Sequence, residues 1–127
     1  MKLLWLSHLI PYPPKGGVLQ RTYNMIREVS RYHDITLVAF NQAALLSASL
    51  PEQDDPVAFA KHELLRSIES IHVLEIPEDT SFGGQYSTAL KALVRGRAYN
   101  MEWLRSKEAR QTIVNLLSEK SFDAVHI

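Results

Sequence analysis

The chain has no cysteine among its 127 residues, so it contains neither a disulfide framework nor a thiolate metal site. Its 14 basic and 14 acidic residues cancel, and this zero net charge gives no support for a nucleic acid partner. No apolar run approaches the roughly 20 residues that cross a bilayer, and the run from Leu3 to Leu6 is too short for a signal-peptide core. No histidine or carboxylate spacing is typical of a metal site. We therefore expect a cytoplasmic protein with no resident metal or cofactor.

The residues that are present suit one folded domain. Hydrophobic residues make up 46% of the chain and charged residues 22%, close to the averages for globular domains. Apolar runs of strand length alternate with segments whose apolar residues recur at helical spacing. The predicted strands are 2–7, 35–40, 71–76 and 122–127, and the predicted helices are 17–32, 56–68, 86–94 and 106–117. Because right-handed crossovers join parallel strands, we predict an α/β fold, a Rossmann-like doubly wound parallel sheet with helices on both faces.

Several local signals refine this prediction. Asp54-Asp55-Pro56 and Ser106 are typical of helix N-caps, whereas residues 41–53 have no strong period. Each helix has an apolar stripe that should face the sheet. The stripe of the first helix is Leu19, Tyr23, Ile26, Val29 and Tyr32, and that of the last is Ala109, Ile113, Leu116 and Leu117.

The first strand leads into a segment with unusual backbone chemistry. Prolines at 11, 13 and 14 stop the strand and stiffen the loop, and Gly16 and Gly17 then begin a helix. The unpaired N–H groups of that helix should lie at the carboxyl end of the strand, where open α/β sheets bind ligands. An anion, a phosphate or a sugar hydroxyl would fit there.

We take His8, Gly16, Gly17 and Arg21 as the candidate binding residues at this place. His8 lies on the rim just past the strand, and Arg21, one turn into the helix, has the reach to bind a phosphate or carboxylate with two hydrogen bonds. Each residue also has a plainer interpretation. The glycines can simply build a turn, His8 can be a packing histidine of the loop, and Arg21 can be a solvated arginine.

These residues form a pattern that resembles a known family. Ser7-His8-x-x-Pro11-Tyr12-Pro13-Pro14-x-Gly16-Gly17-x-x-x-Arg21-x-Tyr23-Asn24 is similar to the start of bacterial GT-B-fold glycosyltransferases, the retaining, glycogen-synthase-like superfamily of the family 4 type. The resemblance implies that residues 1–127 are the N-terminal, acceptor-side half of such an enzyme, truncated at the C-terminal end and without the donor-binding domain. The isolated domain is then expected to be inactive.

The resemblance also implies a reaction and its partners. A sugar would pass from a nucleotide-sugar donor, held mainly by the missing domain, to a glycan or a lipid-linked acceptor in cell-surface polysaccharide synthesis. Enzymes of this fold generally need no bound metal. His126 lies within a strand rather than in the loop that carries the cleft histidine of the family, so we interpret it as a core or sheet-edge histidine.

A basic segment predicts a further contact. Residues 91–110 hold six basic and two acidic residues, interleaved with Tyr99 and Trp103. This mixture suits the surface of an anionic membrane, with Arg95, Arg97 and Arg105 as the contacts, or else an ordinary solvated face. Tyr99 and Trp103 suit either sugar stacking or the core.

Two other functional classes stay open at this point. One is a stand-alone α/β module, flavodoxin-like or receiver-like, that binds a phosphate or a partner without catalysis; the other is a purely structural domain. A receiver-like module would need acidic residues at the ends of its first and third strands, where this chain has His8 and Pro77. The unpaired edge of the last strand also suggests dimerisation.

Overall fold

The computed structural model describes residues 1–75 and 107–127. Its centre is a four-stranded sheet in which every neighbouring pair of strands is parallel, in the order β3–β2–β1–β4. The strands are β1 (Lys2–Ser7), β2 (Asp34–Asn41), β3 (Ser70–Glu75) and β4 (Ala124–His126). The prediction of neighbouring parallel strands is confirmed, and the chain has a Rossmann-like α/β fold.

Helices connect the strands. They are α1 (Gly17–Val29), α2 (Ala43–Ser49), α3 (Pro56–Leu64) and α4 (Lys107–Glu119). The predicted cap of α3 is confirmed, because the Asp55 carboxylate accepts a hydrogen bond of 2.9 Å from the Ala58 N–H and Pro56 occupies the first turn.

The two faces of the sheet bury two separate apolar clusters. Since side chains alternate along a strand, Trp5, Ile35 and Leu37 share one face, which packs with residues of the first three helices, such as Ile26 and Leu64. The opposite face carries a second cluster, which consists of Leu4, Val38, Leu74, Ala109 and Leu116. The last two of these belong to α4, so helices cover both faces as predicted.

Two hydrogen bonds between Lys2 and Asp123 mark where β4 begins. The Lys2 N–H donates to the Asp123 carboxylate at 2.7 Å, and the Asp123 N–H donates to the Lys2 carbonyl oxygen at 2.8 Å. Asp123 therefore precedes the strand rather than forming part of it, and the predicted strand 122–127 shortens to three residues. Phe122 packs instead against the α4 side of the core.

One helix was not predicted, and two predicted inward positions were wrong. Residues 43–49 form α2, which has no clear apolar period because it is short and buries only Leu46. Tyr32 is 78% exposed since α1 ends at Val29, three residues before it. Leu117 is half exposed because its neighbour Leu116 takes the inward position, and adjacent helical residues point about 100° apart.

Several sequence predictions fall on residues 76–106. The helix at 86–94, the cap at Ser106, Tyr99, Trp103 and the basic segment of Arg95, Arg97 and Arg105 lie wholly or mostly there, outside the described residues. Within residues 1–75 and 107–127, no helix is long and apolar enough to cross a membrane.

One titratable group links the fold to pH. Burial lowers the pKa of His72 below its ordinary value of 6.5, and the ammonium groups of Lys120 and Lys61 lower it further, against an opposing effect of Glu119. The folded chain therefore binds a proton at this imidazole less readily than the unfolded chain. Stability is full while the histidine is neutral in both states and falls as the pH drops below about 6.5.

We predict that replacing His72 reduces the acid sensitivity of the fold. The free energy of unfolding of the wild type should fall between about pH 7.5 and about pH 5, and His72→Gln should lose less over the same interval. Denaturant titrations at a series of pH values measure both slopes. Equal slopes for wild type and His72→Gln would contradict the prediction.

Candidate functional site

The loop that leaves β1 is held against the rest of the domain by its own side chains. Ile10, Pro11 and Pro13 are buried, and the Ser7 hydroxyl donates to the Leu9 carbonyl oxygen at 2.7 Å. The Tyr12–Pro13 peptide bond is cis. The buried side chains therefore hold residues 8–16, which we call the lip, against the rest of the domain at the carboxyl edge of the sheet.

Tyr12 anchors this lip through its ring. The ring centroid lies 6.0 Å from that of Tyr23 on α1 and 6.1 Å from that of Phe59 on α3, both in tilted geometry. Burial raises the pKa of the Tyr12 hydroxyl, and Glu63 and Tyr23 raise it further while Arg66 opposes them. Tyr12 therefore stays protonated at neutral pH, which suits a packing residue and not a base.

Lys15 fastens the other end of the lip. Its ammonium group donates to the Ser49 carbonyl oxygen at 3.0 Å, at the last residue of α2. Helix carboxyl ends have unpaired carbonyl groups and attract cations. Lys15 is exposed as predicted, but it is directed at α2 instead of at a ligand.

Gly16 and Gly17 have different conformations and different roles. Gly16 is the N-cap of α1 with φ 78° and ψ 163°, a region that essentially only glycine adopts. Gly17 begins the helix, and a Cβ atom built on it would meet no atom within 4 Å. The first hydrogen bond across the helix start runs from the Gln20 N–H to the Gly16 carbonyl oxygen. The N–H groups of residues 17–19 thus have no partner within α1.

A groove of about 560 Å³ opens beside this helix start, between α1 and β4. Three of the four predicted site residues, His8, Gly17 and Arg21, line the groove. Gly16, the residue before Gly17, is not among the lining residues. The other lining residues are Trp5, Leu6, Ser7, Val18, Thr22, Met25, His126 and Ile127. No aspartate or glutamate side chain is among the lining residues that the structure describes, and His8 and Arg21 give the polar end of the groove donors for an anion.

The side chains of His8 and Arg21 are exposed. Among the parts of the chain that the structure describes, neither side chain makes an ion pair or a hydrogen bond. Both line the same groove as Gly17 at the start of α1, whose helix dipole places positive potential there. A phosphate or carboxylate in the groove can therefore meet backbone donors and a guanidinium at the same time.

His126 is a groove residue that the sequence did not predict. It pairs in register with Trp5, and the two ring centroids lie 3.9 Å apart with an interplanar angle of 42°. It is exposed on the edge strand, which agrees with the sheet-edge interpretation rather than the core one. Its position in register with Trp5 is the signal that would have found it, but strand register is not visible in one sequence.

A second hollow, of about 270 Å³, lies on the opposite face of the sheet. Its walls are mostly apolar and include Leu6, Val38, Phe40 and Ile113. His8 lines both hollows, so it stands at the end of β1 where the two faces meet.

Comparisons with known proteins add nothing to this geometry. Searches of protein-family models, of curated proteins and of solved structures found no match. Within residues 1–75 and 107–127, no group of three or more histidine or carboxylate side chains is arranged to hold a metal ion. The chemistry of the site therefore has to be inferred from the groove alone.

The two glycines give a matched pair of substitutions. We expect Gly16→Ala to destabilise the fold by about 1–3 kcal/mol, because alanine is strained at a positive φ whatever the space around it. Gly17→Ala should instead leave stability unchanged or raise it by about 0.4–1 kcal/mol, since it restricts the unfolded chain without a clash. Urea unfolding of both variants measures the difference. A loss at Gly17 as large as that at Gly16 would show that Gly17 is also conformationally constrained.

Proposed function

We propose that this chain is the N-terminal, acceptor-side domain of a GT-B glycosyltransferase of the retaining, glycogen-synthase-like superfamily. The observation that carries the proposal is the groove itself, in which His8, the open start of α1 and Arg21 converge at the carboxyl edge of a parallel sheet. The sequence motif of residues 7–24 supports the same family. The parent enzyme transfers a sugar from a nucleotide-sugar donor to a glycan or a lipid-linked acceptor.

The groove suits the charge that develops in such a reaction. As the glycosidic bond of the donor breaks, the sugar becomes oxocarbenium-like and the leaving diphosphate gains negative charge. Preorganised N–H donors lower the energy of such a charge without reorganising during the reaction. In this proposal the N–H groups of residues 17–19 receive a diphosphate oxygen, and Arg21 binds the same group through its guanidinium.

The roles of the two histidines follow from their places. His8 lies at the end of β1, so we assign it to substrate binding beside the lip. His126 covers Trp5 and presents a ring to the groove from the opposite side. A flat imidazole at this place suits contact with a sugar or base ring.

The biological setting is also part of the proposal. Cell-surface polysaccharide synthesis at the cytoplasmic face of a membrane matches a lipid-linked acceptor. Contact with anionic lipid through Arg95, Arg97 and Arg105 stays a prediction from sequence, because these residues lie outside the described ranges.

We predict that Gly17→Val abolishes most transfer without unfolding the domain. A Cβ atom at this position meets no surrounding atom within 4 Å, so we expect the fold to tolerate the side chain, whereas the branched group should obstruct the N–H groups that hold the diphosphate. Loss of one such donor lowers rates on the order of 10²-fold in other enzymes. The rate of nucleoside diphosphate release from UDP-glucose and GDP-mannose, measured on the protein as its gene encodes it, tests this.

Ala43→Val is the matched control for this experiment. It places the same side chain on the exposed first residue of another helix, α2, away from the lining of the groove. Its turnover and thermal midpoint should equal those of the wild type. Normal turnover in a folded Gly17→Val protein would mean that the glycines only build the turn and would contradict their role in binding the diphosphate. Diphosphate binding without any turnover in the wild type would favour a non-catalytic phosphate-binding module.

A further inference from the structure

A second polar arrangement lies at the same edge of the sheet, at the ends of β2 and β3. Asn41 and Glu75 are partners in the strand register. The Asn41 side-chain amide donates to both carboxylate oxygens of Glu75, each at 3.1 Å. Because one amide contacts both oxygens, the carboxylate is held in a single orientation.

The side-chain carbonyl oxygen of Asn41 is an unusual feature of this pair. Asn41 is only 5% exposed, and its buried side-chain carbonyl oxygen has no hydrogen-bond partner within residues 1–75 and 107–127. A buried acceptor without a donor costs free energy, so an apolar residue at this place would serve the fold better. The gain from asparagine is the orientation of Glu75.

Glu75 differs from the other glutamate that flanks β3. Glu69, at the amino edge of the sheet, forms an ion pair of 3.4 Å with Lys120. Glu75 is exposed at the carboxyl edge, and no cation among the described residues pairs with it. A carboxylate offers about four lone-pair sites, and Asn41 uses two of them. No other described residue hydrogen-bonds to this carboxylate, which leaves its remaining sites for a ligand.

The position of this pair relates it to the groove. β3 lies two strands from β1, and neighbouring strands are spaced about 4.8 Å apart, so the two ends are separated by about 10 Å across the edge. The described lining of the groove offers donors but no aspartate or glutamate side chain. Glu75 places a carboxylate acceptor outside the groove, and its oxygens can accept charge-assisted hydrogen bonds from the hydroxyl groups of a ligand.

We propose that Glu75, oriented by Asn41, binds the hydroxyl groups of a sugar at the carboxyl edge of the sheet, in a subsite separate from the anion-binding groove. The inference rests on the proposed function, in which the acceptor is a glycan. Asn41 is a positioning residue that acts through Glu75.

The test measures sugar and diphosphate binding on the same samples. Methyl glycosides of mannose, glucose and galactose are titrated into the wild-type chain by ligand-observed NMR, and pyrophosphate is titrated separately. Glu75→Gln keeps the shape of the side chain and removes its charge. It should weaken binding of at least one glycoside about tenfold or more, the usual loss for a charge-assisted hydrogen bond, and leave pyrophosphate binding unchanged.

Glu69→Gln is the matched control and should keep wild-type affinity for every probe. Asn41→Leu should weaken glycoside binding although Glu75 is still present, which a purely structural role of the amide would not cause in a folded variant. If Asn41→Leu fails to fold, the result for Glu75→Gln decides. Wild-type affinity in Glu75→Gln, or no glycoside binding by the wild type, overturns the inference. Pyrophosphate binding that survives this failure leaves the proposed function standing, whereas loss of both contradicts both.

Discussion

The pairing of β1 on both of its sides is the constraint on which the rest of the domain depends. β1 pairs with β2 along its whole length and with β4 at Leu3, Leu4 and Trp5, so most of the strand is fixed from both sides, and its last two residues are held by β2. Everything that defines the groove starts from this end. The lip follows directly from it, and α1 begins ten residues after Ser7, at Gly17. Because α1 follows from this strand end, the backbone N–H groups at the start of α1 are held in place without the freedom of a flexible side chain.

The lip is positioned by contacts of three different kinds, and each prevents a different motion. Buried prolines restrict the backbone, the Tyr12 ring is wedged between α1 and α3, and the Lys15 ammonium group holds the carboxyl end of α2. Only Gly16 among the described residues adopts a positive φ, at the point where the lip turns into α1. The conformational cost is thus concentrated at one residue that tolerates it.

Much of this arrangement could be read from the sequence, because its signals are local. Apolar runs and the Asp55 cap identify β2 and α3, and the Pro-Pro-x-Gly-Gly segment identifies the turn into α1. Long-range facts could not be read in the same way. The pairing of His126 with Trp5 depends on strand register, and the contact between Asn41 and Glu75 depends on which strands are neighbours. The α2 helix was not predicted because tertiary packing stabilises it and its sequence has no amphipathic period.

The walls of the groove come from opposite ends of the described chain. The hydrogen bonds between Lys2 and Asp123, which are 121 positions apart, bring β4 beside β1 and so place His126 opposite α1. Closing so long a loop is slow and entropically costly, and β4 has few contacts to offset it. The groove should therefore be assembled last in folding. An anion that bridges α1 and His126 would favour the closed sheet by mass action and so act as a ligand that completes the fold.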